Sequence, residues 1–426
     1  MISRDRWIEV IKDFQEMEMP RIIPRDIDIP LETPIRRSIS IIGPRRCGKT
    51  YEMFYLISLL TEKYGRSKIL YVNFEDPSLT GATLEDLIRM RKVFYEMYPE
   101  NVGKKVWFFL DEIHNVENWE KFVRKCLDDN LNVFITGSSS KLLSREIATQ
   151  LRGRNLSYYL YPFSFREFLK ARNMNVSKYL SSSDKIKIMN ALRKYISGGG
   201  YPEAVLYEKE RERILKEIFE VTIYRDVIER INARNIKAVK LLSSALVNSS
   251  YFSVHKFYNF LKSRGIKISK NTLYSYFDAF VDALVVLPLF RLDFSYRKVE
   301  QSIPKIYFVD NGLLSVNGID DAGRLMENAV AAELFRRGEE ISYVKNHNFE
   351  VDFAVKKGKT VKQLIQVCYD IENFTTRERE LKALREVSKL LKCKDLLVVT
   401  WDYEAEEEVK GRKIKFVPLW KWLVKF

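Results

Sequence analysis

Cysteine and histidine are scarce in this chain, with four of the first and three of the second among 426 residues. The cysteines (Cys47, Cys126, Cys368 and Cys393) form no C-x-x-C pair, which argues against both a disulfide framework and a zinc site. No apolar run approaches the roughly 18–20 residues that cross a bilayer. Met1 to Met19 mixes charge with apolar residues where a secretory leader would carry an apolar core. Together these absences lead to the expectation of a cytoplasmic protein. Internal repeats and low-complexity tracts are also missing, and a hydrophobic content of 46% excludes wholesale disorder. Acidic residues are outnumbered, 57 against 72 Lys and Arg, for a net charge of +15. An excess of that size favours a polyanionic partner, nucleic acid first, with ribosomes and acidic lipids as alternatives.

The strongest positive signal is Gly43-Pro44-Arg45-Arg46-Cys47-Gly48-Lys49-Thr50, a complete G-x-x-x-x-G-K-[ST] loop. Ser38 to Ile42 ahead of it reads as a short buried strand, and the segment from Tyr51 to Glu62 reads as a helix. In that setting the glycines let backbone N–H groups turn toward phosphate at the positive end of the helix. Lys49 would reach the β- and γ-phosphates and Thr50 would hold Mg²⁺, so ATP and Mg²⁺ are the expected cofactors.

A second apolar run without alternation, Lys105 to Leu110, ends in Asp111-Glu112. Such a run suits a strand covered on both faces. Asp111 is the candidate second metal ligand and Glu112 the candidate base for the attacking water. A further strand, Asn132 to Ser138, offers Ser138 or Thr136 as a γ-phosphate sensor. In Leu151-Arg152-Gly153-Arg154, Arg154 is the candidate arginine supplied to a neighbouring subunit and Arg152 the reserve, which implies a homo-oligomer.

These pieces, with Thr136-Gly137-Ser138-Ser139, Pro162 to Phe168, Gly198-Gly199-Gly200-Tyr201-Pro202-Glu203 and Tyr224-Arg225-Asp226-Val227, resemble the archaeal ATPase family, a branch of the AAA-like ATPases. The resemblance covers nearly the whole chain and implies ATP binding and hydrolysis. The fold class expected is α/β: a P-loop AAA-like parallel sheet with a helical lid, then a winged helix and a restriction-endonuclease-like α/β domain. The expected boundaries are a helix and tether over 1–34, ATPase core 35–160, lid 161–232, winged helix 233–321 and endonuclease-like domain 322–426.

Within 236–290 the reading gives a first helix from Ile236, a second capped by Ser253, a turn at Gly265 and a third helix capped by Ser269, then a strand over Val285 to Phe290. Lys256, Lys267, Lys270 and Asn271 are the candidate DNA contacts, with Lys262 and Arg264 as further backbone contacts. Protein interaction or dimerisation is the other use of such a module.

The C-terminal segment resembles the restriction-endonuclease-like core found in archaeal Holliday-junction resolvases. That resemblance implies a metal site in which Glu327 is the helix acid, Asp352 the strand-end aspartate and Gln366 the Glu/Gln position. Cys368 stands where the family has lysine, so the nuclease site is read as degenerate, with Lys356 or Lys362 as substitutes from the neighbouring hairpin. The sum is an ATP-hydrolysing, DNA-binding protein that remodels branched DNA. An ATP-dependent nuclease and a regulatory ATPase with protein partners are the alternatives.

Overall fold

The computed structural model describes residues 1–32, 36–138, 150–176, 180–293, 295–346 and 348–424, apart from the side chains at 138 and 296. The chain divides into two compact units, Met1–Tyr161 and Pro162–Phe426.

The first unit is built on a parallel sheet of β1 (Ser38–Gly43), β2 (Ile69–Asn73), β3 (Trp107–Asp111), β4 (Asn132–Ser138) and β5 (Asn155–Tyr159). The spatial order is β2-β3-β4-β1-β5. Helices α1 (Arg4–Glu16), α2 (Lys49–Tyr64), α3 (Leu84–Met97) and α4 (Trp119–Asp128) surround it. Alternate residues of each strand enter opposite cores. Phe108, Leu110, Val133 and Ile135 join Leu87, Met90 and Phe122 of α3 and α4 on one side. Trp107, Phe109 and Phe134 join Met53, Leu56 and Leu60 of α2 on the other. This explains the apolar runs without alternation: both faces of the sheet are covered. Strand order reverses beside β1, whose neighbours β4 and β5 are both non-consecutive with it, so the crevice at the carboxyl ends of the strands opens there.

The second unit begins with α5 (Phe165–Ala171), α6 (Ser182–Gly198), α7 (Pro202–Leu206) and α8 (Arg211–Val221), the last running into a π-helical stretch over Thr222–Glu229. Then come α9 (Ile236–Val247), α10 (Val254–Ser263) and α11 (Lys270–Asp282). Ser253 and Ser269 cap α10 and α11 through their hydroxyls, and Gly265 makes the left-handed turn between them. Strands β6 (Val286–Leu289) and β7 (Lys305–Phe308) form an antiparallel hairpin flanking α12 (Tyr296–Glu300). Short α13 (Asn311–Ser315) and long α14 (Ala322–Arg336) follow.

A separate mixed sheet closes the unit. It comprises β8 (Glu340–Lys345), β9 (Glu350–Lys357), β10 (Thr360–Cys368), β11 (Asp395–Thr400), β12 (Ala405–Val409) and β13 (Arg412–Pro418), in the order β12-β13-β11-β10-β9-β8. Helix α15 (Phe374–Leu391) carries the chain from β10 to the parallel β11, and α16 (Leu419–Val424) ends the described chain. The fold class read from sequence is therefore borne out: a parallel α/β sheet, then a separate C-terminal mixed sheet. Continuity between hairpin and sheet is direct, since the Leu292 N–H donates to the Tyr343 carbonyl at 2.7 Å and the Tyr343 N–H to the Phe290 carbonyl at 3.1 Å.

Candidate functional site

In the first unit the loop between β1 and α2 sits at the carboxyl edge of the sheet. Gly43 is required by close approach: a Cβ there would lie 2.1 Å from the Leu160 carbonyl oxygen and 2.7 Å from Cys47 Sγ. Gly48 takes φ +102° to swing the chain into α2, a conformation that disfavours a side chain. Arg46 also lies at positive φ. The Cys47 thiol is fully buried, and burial raises its pKa, so it packs as an inert small apolar group. Tyr51, on the first turn of α2, is exposed.

Lys49 is 7% exposed, with Nζ 3.2 Å and 3.3 Å from the Gly43 and Pro44 carbonyl oxygens and 3.9 Å from Glu112 Oε1. Thr50 donates to Asp111 Oδ2 at 2.7 Å, which brings the two expected metal ligands together. Asp111 also accepts from the Tyr71 hydroxyl at 3.1 Å and from the Thr136 hydroxyl. Thr136 therefore holds Asp111 from β4, and its Oγ1 also accepts the Glu112 N–H at 3.0 Å. Glu112 follows the strand in the left-handed region, at φ +51°. Burial is the main cause of a raised Glu112 pKa; Lys49 opposes it and Asp111 adds to it. A carboxylate made more basic in this way, beside a cation, suits proton acceptance from water.

The sequence reading missed three neighbours. Tyr71 comes from β2, His114 places Nδ1 at 3.3 Å from Glu112 Oε2, and Arg25 donates to the Cys47 carbonyl at 2.9 Å and to the Tyr161 carbonyl. Only the D-E-x-H spacing of His114 carried a local signal. Of the sensor candidates, Thr136 joins the cluster, while the Ser138 side chain lies outside the described residues. Arg154 sits elsewhere. Ser38 of β1 is level with Asn155 of β5, so Arg154 lies at the amino edge, a strand length or roughly 16 Å from Gly43. It is half-exposed and pairs with Asp128 at 2.6 Å; Arg152 is exposed, at φ +50°.

In the second unit, Glu327 of α14, Asp352 of β9 and Gln366 of β10 come together in one cleft of about 1340 Å³. Gln366 is buried, its carbonyl oxygen accepting the Asp352 N–H at 3.3 Å and its amide donating to Glu380 Oε2 at 2.6 Å. Asp352 Oδ2 accepts the Val367 N–H at 3.1 Å. Cys368 is buried and its thiol is pushed up to about 11, mainly by burial.

The expected substitute lysines require correction. Lys356 pairs with Glu340 at 3.0 Å, and Lys362 lines a different hollow with Gly338 and Asp395. The cation comes instead from β7. Lys305 Nζ lies 3.0 Å from Glu327 Oε1, 2.9 Å from Glu350 Oε1 and 2.9 Å from Asp352 Oδ1, with its side chain 5% exposed. Tyr307 donates to Glu327 and Tyr251 to Glu350, each at 2.6 Å. Burial pulls the lysine pKa down, but Asp352, Glu327 and Glu350 outweigh it and hold the ammonium charged. The surplus of acid leaves Asp352 raised to about 6, by burial first and Glu327 second.

The proposed DNA contacts are arranged as the helix caps dictate. Lys256, Lys267, Lys270 and Asn271 are all exposed, as are Lys262 and Arg264. Lys270 Nζ stands 5.3 Å over the Tyr258 ring. Tyr274 is exposed, whereas Tyr276 is buried, its hydroxyl accepting the Asn235 N–H. Lys256 also lines a hollow of about 520 Å³ with Arg291, Lys298 and Lys345.

Comparison with known proteins sets these sites in context. Residues 36–169 match the family described as AAA domain, and residues 189–322 match a domain of unknown function (DUF8612). Uncharacterized protein MJ1544 of Methanocaldococcus jannaschii is 41% identical over 431 residues, covering 97% of this chain and 94% of the relative. The chain belongs to the MJ1544 family. A protein of Haemophilus influenzae is 28% identical over 99% of this chain and 98% of its own length. Among solved structures, the Aeropyrum pernix ORC2 protein superposes with a TM-score of 0.40 at 11% identity, covering 71% of this chain and 89% of that one. The P-loop, Asp111-Glu112 and the Thr136 strand all fall inside the AAA match, so the first unit of this MJ1544-family chain carries an AAA-type P-loop ATPase domain.

Proposed function

We propose that this chain is an ATP-hydrolysing, DNA-binding protein that remodels branched DNA such as Holliday junctions, acting as a cytoplasmic homo-oligomer. The observation that carries the reading is the cluster at the carboxyl edge of the parallel sheet. There Thr50 meets Asp111 at 2.7 Å and Lys49 faces Glu112 at 3.9 Å beneath the glycine loop. A hydroxyl and a buried carboxylate at one point fit a magnesium ion that keeps most of its waters. Bound there with ATP, Mg²⁺ would neutralise charge on the phosphate oxygens. Loop N–H groups and Lys49 bind and orient the phosphates, Thr50 and Asp111 hold the cation, and Glu112 takes the proton from the attacking water. Arg154, remote from its own loop, would complete the site of a neighbouring copy.

DNA binding is supported by the net charge of +15, by the exposed Lys256, Lys267, Lys270 and Asn271 and by the basic hollow shared by Lys256, Arg291, Lys298 and Lys345. The preference for branched DNA rests on analogy with resolvases, supported by the meeting of Glu327, Asp352 and Gln366.

The test is the ATP hydrolysis rate of the full chain alone and with single-stranded, duplex and four-way-junction DNA, with Lys49→Ala as the blank. Stimulation greatest with the junction is expected. A rate indifferent to every DNA overturns the DNA-remodelling reading and leaves the regulatory ATPase in its place.

A further inference from the structure

The acidic centre of the second unit has the parts of an endonuclease-like metal site and, besides them, a buried lysine. The three oxygens that converge there, Glu327 Oε1, Glu350 Oε1 and Asp352 Oδ1, all lie 2.9–3.0 Å from Lys305 Nζ. Several further lone pairs of these carboxylates are in use as well. Tyr307 and Tyr251 hydroxyls bond the two glutamates, Lys345 bonds Glu350 Oε2 at 2.7 Å, and the Val367 N–H bonds Asp352 Oδ2. Gln366 brings no charge, and both ends of its amide are engaged. Magnesium requires oxygens at about 2.0–2.1 Å in near-octahedral array. To reach the same three oxygens it would have to enter the space the ammonium fills. Among the described residues no group of three or more His, Cys, Asp or Glu is arranged to hold a metal ion. The residues present therefore do not fit the divalent metal that the fold implies.

We propose that the Lys305 ammonium is the permanent cation of this centre, standing in the metal's place, so that the centre takes no divalent metal for phosphodiester cleavage. The inference deepens the endonuclease-like reading above and rests on it. Its physical basis is charge matching. Three carboxylates converge on one point, Asp352 buried and Glu327 and Glu350 half-buried, and a cation that is part of the chain cannot dissociate from them. Lys305 also belongs to the β6–β7 hairpin, whereas its partners belong to α14 and β9, so the ammonium ties the helical module to the mixed sheet. Around it the cleft carries Arg324, Lys382 and Lys410, side chains suited to a phosphodiester backbone, together with the paired Arg377 and Arg379 and the acids Asp370 and Glu378.

The test is Mn²⁺ binding to the nucleotide-free full chain, read by electron paramagnetic resonance in an Asp111→Asn background that removes the P-loop metal ligand. With Lys305 present, no Mn²⁺ dependent on Asp352 is expected. Lys305→Ser should gain one Mn²⁺ per chain, lost again on adding Asp352→Asn, and its melting temperature should rise on adding Mn²⁺. Recovery of folded Lys305→Ser only when Mn²⁺ is supplied supports the same conclusion. A folded Lys305→Ser chain that binds no Mn²⁺ overturns the proposal. Mn²⁺ bound by the Lys305 chain and lost with Asp352→Asn also overturns it. If Lys305→Ser folds under neither condition, that comparison in the Lys305 chain decides alone, and absence of the ion supports the proposal. Neither ATP nor DNA enters the assay, so failure here is distinct from failure of the remodelling reading.

Discussion

Replacing Thr136 by valine tests the reasoning at the nucleotide site most sharply, because valine keeps the shape and removes one hydroxyl. That hydroxyl has two duties: it donates to the Asp111 carboxylate and accepts the Glu112 N–H at 3.0 Å. A hydrogen bond to a charged group contributes about 1.5–3 kcal/mol, and an orphaned buried N–H costs about 1–3 kcal/mol. Much of that loss falls on the position of Asp111 and the left-handed turn at Glu112. If about 2 kcal/mol is felt in the transition state, kcat for ATP hydrolysis falls roughly 30-fold. Nucleotide affinity should change little, since Lys49 and the loop N–H groups are untouched. Thr136→Ser, which restores the hydroxyl, should recover most of the rate. Steady-state hydrolysis with a fluorescence titration of a nucleotide analogue separates kcat from binding, and circular dichroism checks the fold. A folded Thr136→Val enzyme with undiminished kcat, or one that loses affinity and keeps kcat, refutes the positioning argument.

Two further perturbations follow. Asp310 accepts the Gly200 and Gly312 N–H groups, and burial raises its pKa from the ordinary 3.8 to about 6 despite them. A carboxyl raised on folding stabilises in its protonated form, fully below about pH 4 and lost as pH rises through about 6, which amounts to about 3 kcal/mol. In urea titrations between pH 4 and 8 the chain should therefore lose about 3 kcal/mol more unfolding free energy than Asp310→Asn does, and parallel curves would sink the assignment. Arg154→Ala should bind nucleotide normally and hydrolyse it poorly. Mixing it with Lys49→Ala should restore activity that neither has alone, whereas an Arg154→Ala chain at full rate removes the subunit-shared site.

What the sequence disclosed was local. The phosphate loop, the acids at the end of β3 and the caps at Ser253 and Ser269 each reside in a few consecutive residues, and their spacing carries the geometry. The alternation-free run from Lys105 to Leu110 likewise announced a strand buried on both faces, and two cores do enclose the strand found there, Trp107–Asp111. What stayed hidden was assembled across the chain. Lys305 lies 22 residues before Glu327 and 47 before Asp352, on a strand with no metal-site signature of its own. Searching for a lysine near Cys368 therefore pointed to Lys356 and Lys362, which sequence distance favours and the sheet carries elsewhere. Tyr71 and Arg25 were hidden for the same reason, because only the order β2-β3-β4 and the return of the N-terminal segment bring them to Asp111 and Cys47.

The two lysine–carboxylate centres of this chain make opposite use of the same chemistry. Lys49 rests on two backbone carbonyls at 3.2–3.3 Å and stands 3.9 Å from Glu112, contacts long enough to be exchanged for phosphate oxygens. Lys305 has three carboxylate oxygens at 2.9–3.0 Å, within ordinary hydrogen-bond reach of a charged donor. At the first centre a bound polyphosphate would give Lys49 closer anionic partners, with Thr50 and Asp111 placed to hold its cation. At the second, a metal or an anion would first have to displace a bond already made. On the proposed reading, turnover belongs to the P-loop unit and the C-terminal centre keeps its lysine in place.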